Sequence, residues 1–179
     1  DHGGMSVPSQ WFCALLDTAP PDLGRGLWAI ELVDMVSSEQ AYSRNSAVLV
    51  TRMTDRAGGT IEITDCIPRF RQYDRLYQPM TLVRRIVREP GRPRIVVRLH
   101  PACSYGAAKP AITSGSNHIR FAAPDLTLRL TTDASLTAIL DERPMFVDDA
   151  ITLHLGADEP FTDDIRDFGR ALIERTNTH

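Results

Sequence analysis

The stretch RLHPACSYG places His100 and Cys103 three residues apart, a spacing that two ligands of one metal ion could use. Tetrahedral zinc, however, needs three or four such ligands. The nearest other cysteine and histidine, Cys66 and His118, have no second close pair, and Pro101 ends the strand pattern between the two candidates. We therefore expect no metal site, with His100 at a strand end and Cys103 as a small buried side chain.

Other catalytic patterns are equally weak. The chain has no GxSxG, and its serines lack a recognisable base and orienting acid. The segment GSNHIRF does bring Ser116, Asn117 and His118 together at the start of a predicted strand. This segment predicts a turn, and the alternative is a polar cluster offered to a ligand or to a neighbouring domain. We predict no catalytic residue and no cofactor.

Carboxylate pairs, which could act as acid and base on a sugar, occur in TDDI and VDDA. Neighbouring side chains of a strand point to opposite faces, so an adjacent pair does not converge on one substrate. Asp163 and Asp164 instead suit the first turn of a helix, where negative charge is favourable. Neither pair is predicted to be catalytic.

Aromatic side chains are the more informative candidates. The segment RFRQYDRLYQP contains Phe70, Tyr73 and Tyr77 and has little periodicity, which predicts a long loop, and Tyr105 follows later in the chain. Long loops in compact domains are often functional, and exposed aromatic rings could stack on a sugar. The alternative is a loop that its aromatic residues merely pin in place.

Charge and composition exclude several classes of protein. The chain has 179 residues, with 20 basic and 23 acidic side chains mixed along its length and a net charge of -3. This argues against nucleic acid or an anionic membrane as a partner. No apolar run approaches the roughly 20 residues that span a bilayer. Three widely spaced cysteines without CxxC favour reduced thiols and a cytoplasmic protein, although one disulfide plus a free thiol remains an alternative.

Period-two alternation of apolar and polar residues dominates the chain and indicates β-strands. The turn segments RAGG and REPGRP are each predicted to close a hairpin. Many short strands without intervening helices predict an all-β fold, an antiparallel β-sandwich. The nine predicted strands are LWAIELV, AVLVTRMTD, TIEITDCI, MTLVRRIV, RIVVRLH, HIRFAA, LTLRLTTD, LTAIL and AITLHLGAD.

Two segments depart from this alternation. SQWFCALLD, Ser9–Asp17, predicts one or two helical turns near the N-terminus. TDDIRDFGRALIERTN predicts a helix that Thr162 caps, with one apolar stripe made by Ile165, Phe168 and Leu172 at positions i, i+3 and i+7.

Taken in order, several segments resemble the N-terminal domain of bacterial glycoside hydrolase family 15 proteins, the glucoamylase- and trehalase-like group. The resemblance covers Trp11–His179, and Tyr105 and Gly106 match the family where Ser104 departs from its usual Asp. No single motif is diagnostic, but the ordered set is fairly specific. The segments are GTIEITDCIPRF, QPMTLVRRI, RIVVRLHPACSYGAAKP, GSNHIRF, LRLTTDA and LHLGADEPF.

The resemblance implies a "supersandwich" accessory domain over residues 1–160, without the family's first strands, and a linker helix over residues 161–179. It also implies a missing partner in the same polypeptide, the helical (α/α)6 domain that carries both catalytic glutamates and inverts an α-glucosidic bond. No catalytic residue is carried over, so the chain alone is expected to be inactive. Two alternatives remain: a carbohydrate-binding module for an α-glucoside or oligosaccharide, and an assembly domain that self-associates.

Overall fold

The computed structural model describes residues 26–44, 46–101, 109–124, 126–160 and 162–177. Within these ranges the chain forms thirteen β-strands and two α-helices. The strands are β1 (Leu27–Leu32), β2 (Met35–Tyr42), β3 (Val48–Asp55), β4 (Thr60–Cys66), β5 (Phe70–Gln72), β6 (Arg75–Tyr77), β7 (Leu82–Arg88), β8 (Arg94–His100), β9 (Ala111–Ser114), β10 (His118–Ala122), β11 (Thr127–Thr132), β12 (Met145–Phe146) and β13 (Ala150–Ala157). The helices are α1 (Leu136–Leu140) and α2 (Ile165–Asn177).

The strands form an antiparallel β-sandwich, which confirms the predicted all-β fold. The large sheet has the strand order β2-β3-β4-β7-β13-β11-β10-β9, and the small sheet has the order β1-β8-β12. Strands β5 and β6 make a separate two-stranded hairpin. Neighbouring strands of both large and small sheets run antiparallel, so each sheet can bury one face and leave the other wetter.

The core lies between the two sheets. Ile61 and Ile63 of β4 and Ile86 of β7 point from the large sheet toward the small one, where Ile95 and Val97 of β8 meet them. All five side chains are buried. Burial of an aliphatic side chain of this size contributes roughly 1.5–3 kcal/mol, so this interior is the main source of stability.

Eight of the nine predicted strands are present, and LTAIL is wrong: it forms helix α1. Ser135 caps this helix by accepting a hydrogen bond from the backbone N–H of Ala138 at 3.3 Å, and Ile139 is buried beneath it. A five-residue apolar run does not distinguish a strand from a short helix by periodicity. Here the cap residue selects the helix.

The two predicted hairpin turns have different outcomes. RAGG joins the paired strands β3 and β4, as expected. REPGRP does not close a hairpin, because β7 pairs with β4 and β13 in the large sheet while β8 pairs with β1 and β12 in the small one. Turn chemistry predicts that the chain reverses, but not which sheet receives the next strand.

Helix α2 packs on the outer face of the large sheet. The predicted apolar stripe is confirmed for Leu172, which is buried, and for Phe168, which packs with it against Val83 of β7; Ile165 is half-buried and not part of this cluster. Gly169 permits the close approach, because a Cβ atom there would lie 2.7 Å from Cγ2 of Thr152. The helix therefore covers the middle of a sheet face that would otherwise be open.

The predicted cap of this helix is wrong. Asp164, not Thr162, accepts the hydrogen bonds, from the backbone N–H groups of Arg166 at 2.8 Å and Asp167 at 3.3 Å. Asp133, in the turn after β11, ties the helix to the sheet: one oxygen pairs with Arg166 and the other accepts from the N–H of Thr152 at 2.7 Å.

The predicted turns of Ser9–Asp17 lie outside the described residues. None of the helices in the described ranges has the length and apolarity to cross a bilayer.

Candidate functional site

The segment predicted as a long loop, RFRQYDRLYQP, is instead the β5–β6 hairpin. Its two-residue turn is Tyr73 and Asp74, with φ angles of 50° and 58°. Turns of this kind need positive φ at both central residues and normally use Asn or Gly there. Sequence reasoning missed the hairpin because tyrosine, unlike Asp74, is rarely found at positive φ. Backbone strain of this sort is typical of binding and recognition segments.

The base of the hairpin is held by helix α2 through Phe70. This ring was predicted to be an exposed aromatic, and that was wrong, since only 2% of the residue is accessible. Its centroid lies 4.9 Å from that of Tyr77, and the guanidinium of Arg175 lies 4.0 Å from the Phe70 ring centre. The backbone N–H of Arg69 also donates to Oγ1 of Thr176 at 3.2 Å. Phe70 is therefore an anchor and not a ligand platform.

The tip of the hairpin is exposed. Tyr73 is 90% accessible, and Leu76 and Tyr77 are also exposed, as Ile67 is just before the hairpin. We call the exposed side chains of Ile67, Tyr73, Leu76 and Tyr77 the hairpin tip; of these, Tyr73 lies in the turn itself and Tyr77 is opposite Phe70 at the other end of the hairpin. It presents apolar area on a segment fixed at its base, which suits contact with a partner or a sugar ring. The fourth aromatic candidate, Tyr105, lies outside the described residues.

Asn117 and His118, the polar candidates, do meet at the start of β10. Nδ1 of His118 lies 3.1 Å from Oδ1 of Asn117 and 3.1 Å from Nη2 of Arg129. A guanidinium can only donate, so Nδ1 is unprotonated when Arg129 bonds to it and then cannot also donate to Oδ1 of Asn117; the two contacts are alternatives. Burial, and then the charge of Arg129, lowers the pKa of His118. Both effects favour the neutral form of this histidine.

Asp158 organises the charges next to His118. Its carboxylate accepts hydrogen bonds from Nε of Arg120 at 2.9 and 3.0 Å and lies 3.7 Å from Nη1 of Arg129. The hydrogen bond from Arg120 is the main reason that the pKa of Asp158 is lowered. Among the described residues no hydroxyl or thiol bonds to His118, so the group is a fixed polar surface rather than a nucleophile with its base.

These candidates occupy one face of the molecule. His118, His154 and Val83 lie in one row across the large sheet through their pairing partners, with side chains on its outer face. Three strand spacings separate β10 from β7, or about 14 Å. Helix α2 covers the middle of this row, since Phe168 contacts His154 edge to face at 5.9 Å. The hairpin and the His118 group flank the helix, and we call this surface the outer face.

The structure describes His100 and Cys66, two of the residues considered as metal ligands. His100 ends β8, as predicted, and its Nε2 contacts Glu142, which also pairs with Arg98. In the part of the chain that the structure describes, no three His, Cys, Asp or Glu side chains converge as metal ligands. Cys66 is a free, buried thiol whose pKa is raised by burial, while Cys13 and Cys103 lie outside the described residues.

Comparison with family models, with curated proteins and with solved structures gives no match for this chain. The proposed function therefore rests on the fold and on the outer face.

Proposed function

We propose that this chain is a non-catalytic β-sandwich domain of a glycoside hydrolase and that its outer face docks a helical catalytic domain of the same polypeptide. The parent enzyme would be an inverting α-glucosidase of the glucoamylase and trehalase type, as the sequence resemblance implies. The observation that carries the docking role is the hairpin tip, a set of exposed apolar side chains on a hairpin that helix α2 anchors at its base.

The position of helix α2 supports this arrangement. Its last turn lies against the hairpin, because Arg175 stacks on Phe70 and Thr176 accepts from the N–H of Arg69. Any chain that continues from this helix would start beside the base of the hairpin and the outer face. A following domain could then cover both without a long connection.

The acidic side chains support a non-catalytic role. Glycoside hydrolysis needs a carboxylic acid whose pKa is raised so that it can protonate the leaving oxygen. The hydrogen bond from Arg120 lowers the pKa of Asp158, which is the opposite of what a general acid needs. Asp65, Asp133 and Glu142 are held in ion pairs with arginines. We expect the isolated chain to hydrolyse no glycoside.

A second candidate function is sugar binding by the domain itself. The ring of Tyr73 is almost fully accessible and could act as a stacking platform for an α-glucoside or oligosaccharide. Sugar-binding surfaces commonly use more than one such ring, and here Tyr77 is partly engaged with Phe70. Docking therefore explains the hairpin better.

Replacement of Tyr73 by Asn separates the two roles. Asparagine tolerates positive φ, so the turn is kept while the ring is lost. In the product of the uninterrupted gene, we expect Tyr73→Asn to lower the melting temperature of the catalytic domain by a few degrees, without destabilising the isolated chain. Tyr42→Asn is the matched control, because Tyr42 is 72% exposed on the edge strand β2. Calorimetry of both products gives the readout.

Titration of the isolated chain with maltooligosaccharides completes the test. The docking role predicts no saturable heat. Saturable binding that disappears in Tyr73→Asn and persists in Tyr42→Asn would instead identify a carbohydrate-binding module. Concentration-dependent self-association that Tyr73→Asn abolishes, with no effect on the longer product, would identify an assembly domain.

A further inference from the structure

Three arginines line a cleft at the end of the sandwich opposite to the hairpin. The cleft has a volume of about 320 Å³, within the lower range of small-ligand sites. Its walls come from the β1–β2 turn, the β3–β4 turn and the segment that leads into β8. We call it the arginine cleft, and it is lined by Val33, Asp34, Asp55, Arg56, Ala57, Arg92 and Arg94.

Among the described residues, the arginines of this cleft form no ion pair. Within the described residues, neither a salt bridge nor a side-chain hydrogen bond involves Arg56, Arg92 or Arg94, whereas Arg84, Arg98 and Arg120 are all paired. Arg92 is nevertheless positioned, since its guanidinium lies 4.7 Å from the ring centre of Phe146. A cation held over an aromatic face keeps its hydrogen-bond donors free.

The two carboxylates of the cleft, Asp55 and Asp34, differ in how strongly they would repel a bound anion. Oδ1 of Asp55 accepts hydrogen bonds from the N–H groups of Ala57 at 2.8 Å and Gly59 at 2.7 Å, so this carboxylate is committed to its own turn. Asp34 is exposed and remains available to the arginines. Three guanidinium groups against two carboxylates leave a formal charge of +1 on the lining.

The frame of the cleft is rigid. The N–H of Val33 donates to the carbonyl of Arg94 at 2.9 Å, and that of Arg56 donates to the carbonyl of Asp34 at 2.9 Å. The N–H of Thr60 donates to the carbonyl of Pro90 at 3.0 Å. Turns that are distant in sequence are thereby locked together, so the three arginines are presented from a fixed backbone, which limits the entropy lost on binding.

We propose that the arginine cleft binds the phosphate group of a small anion. Planar guanidinium groups donate two parallel hydrogen bonds to phosphate oxygens, and such charge-assisted bonds are among the strongest in proteins. The source of the group is either free inorganic phosphate or a phosphomonoester. The site is separate from the proposed docking function, because seven-residue strands β4 and β7 place it about 20 Å from the hairpin.

The test is a titration of the 179-residue chain with inorganic phosphate and with glucose 6-phosphate at constant ionic strength, followed by amide chemical shifts. We expect saturable shifts confined to residues 33–34, 55–59 and 91–94. Arg92→Gln and Arg94→Gln should each weaken binding by about tenfold. Arg56→Lys should weaken it less, because lysine keeps the charge and loses the paired donors. Tighter binding of the ester than of inorganic phosphate would identify a phosphomonoester as the ligand, and equal binding would identify free phosphate.

Arg75→Gln is the matched control, because Arg75 is an exposed arginine of the hairpin at the other end of the sandwich. It removes the same charge and should leave the affinity unchanged. Shifts that never saturate, or an equal loss of affinity in Arg75→Gln, would show only a general charge effect and overturn the site. Melting temperatures of the variants identify any change that comes from unfolding, and Arg56→Lys keeps the test valid if a glutamine variant unfolds.

Discussion

Asp65→Asn is expected to lower the free energy of unfolding by about 3 kcal/mol. Asp65 of β4 and Arg84 of β7 form a two-pronged pair inside the sandwich, with Nε–Oδ1 and Nη2–Oδ2 distances of 2.6 and 2.9 Å. Their side chains are only 16% and 14% accessible. Arg84 also donates to the carbonyl of Trp28 at 3.3 Å and lies 4.7 Å from its ring centre. Asparagine keeps the size of Asp65 and leaves the buried guanidinium without its counter-charge.

Glu62→Gln is the matched control on the same strand. Glu62 points to the outer face and pairs with Arg52 at 3.1 Å, and these side chains are 33% and 52% accessible. An exposed pair of this kind contributes less than about 1 kcal/mol. Urea unfolding of the two variants at pH 7 measures both changes. Equal losses of unfolding free energy in the two variants would mean that the burial of an ion pair does not determine its contribution to stability.

Acidification from pH 7.5 to pH 4.5 is expected to remove about 2 to 3 kcal/mol of stability through His154 alone. Burial on the outer face lowers the pKa of His154 to about 4, against an ordinary value of 6.5. Between these two pH values His154 is therefore protonated in the unfolded chain and neutral in the folded chain. This contribution is fully present above pH 6.5 and is lost as the pH falls toward 4.

His154→Leu isolates this contribution, because leucine fills similar space beside Phe168 and does not titrate. The variant should show a smaller fall in unfolding free energy over the same pH range, and the remaining slope comes from the carboxylates and from His118. Because His154 lies under helix α2, acid should weaken the helix first, which proteolysis near the helix would detect. Identical pH dependence in both proteins would show that His154 is not buried in its neutral form.

Much of the fold could be predicted from the sequence because the period of two is a direct consequence of strand geometry. It located eight strands whose inner residues form the core. It failed where that signal is absent: every residue of β2 is exposed, β9 is likewise exposed, and neither alternates. It also failed at the β5–β6 hairpin, since Tyr73 is not a residue that such a turn usually contains.

The candidate site could be predicted only residue by residue. Aromatic type alone drew attention to Tyr73 and Tyr77, and an adjacent polar pair drew attention to Asn117 and His118. Nothing local could reveal that Phe70 is an anchor, because Arg175 reaches it from the far end of the chain. The pairing of Asp65 with Arg84 and the arginine cleft likewise depend on which strands and turns become neighbours.

Glucose release from trehalose and from maltose is the most direct measurement of whether this domain is non-catalytic and depends on a catalytic partner. The 179-residue chain and the product of the uninterrupted gene would be assayed side by side at equal concentration. We predict that only the longer product releases glucose, because the proposed function assigns the acid and base to a partner domain. Glucose release by the 179-residue chain alone would overturn the proposed function and return attention to its own carboxylates.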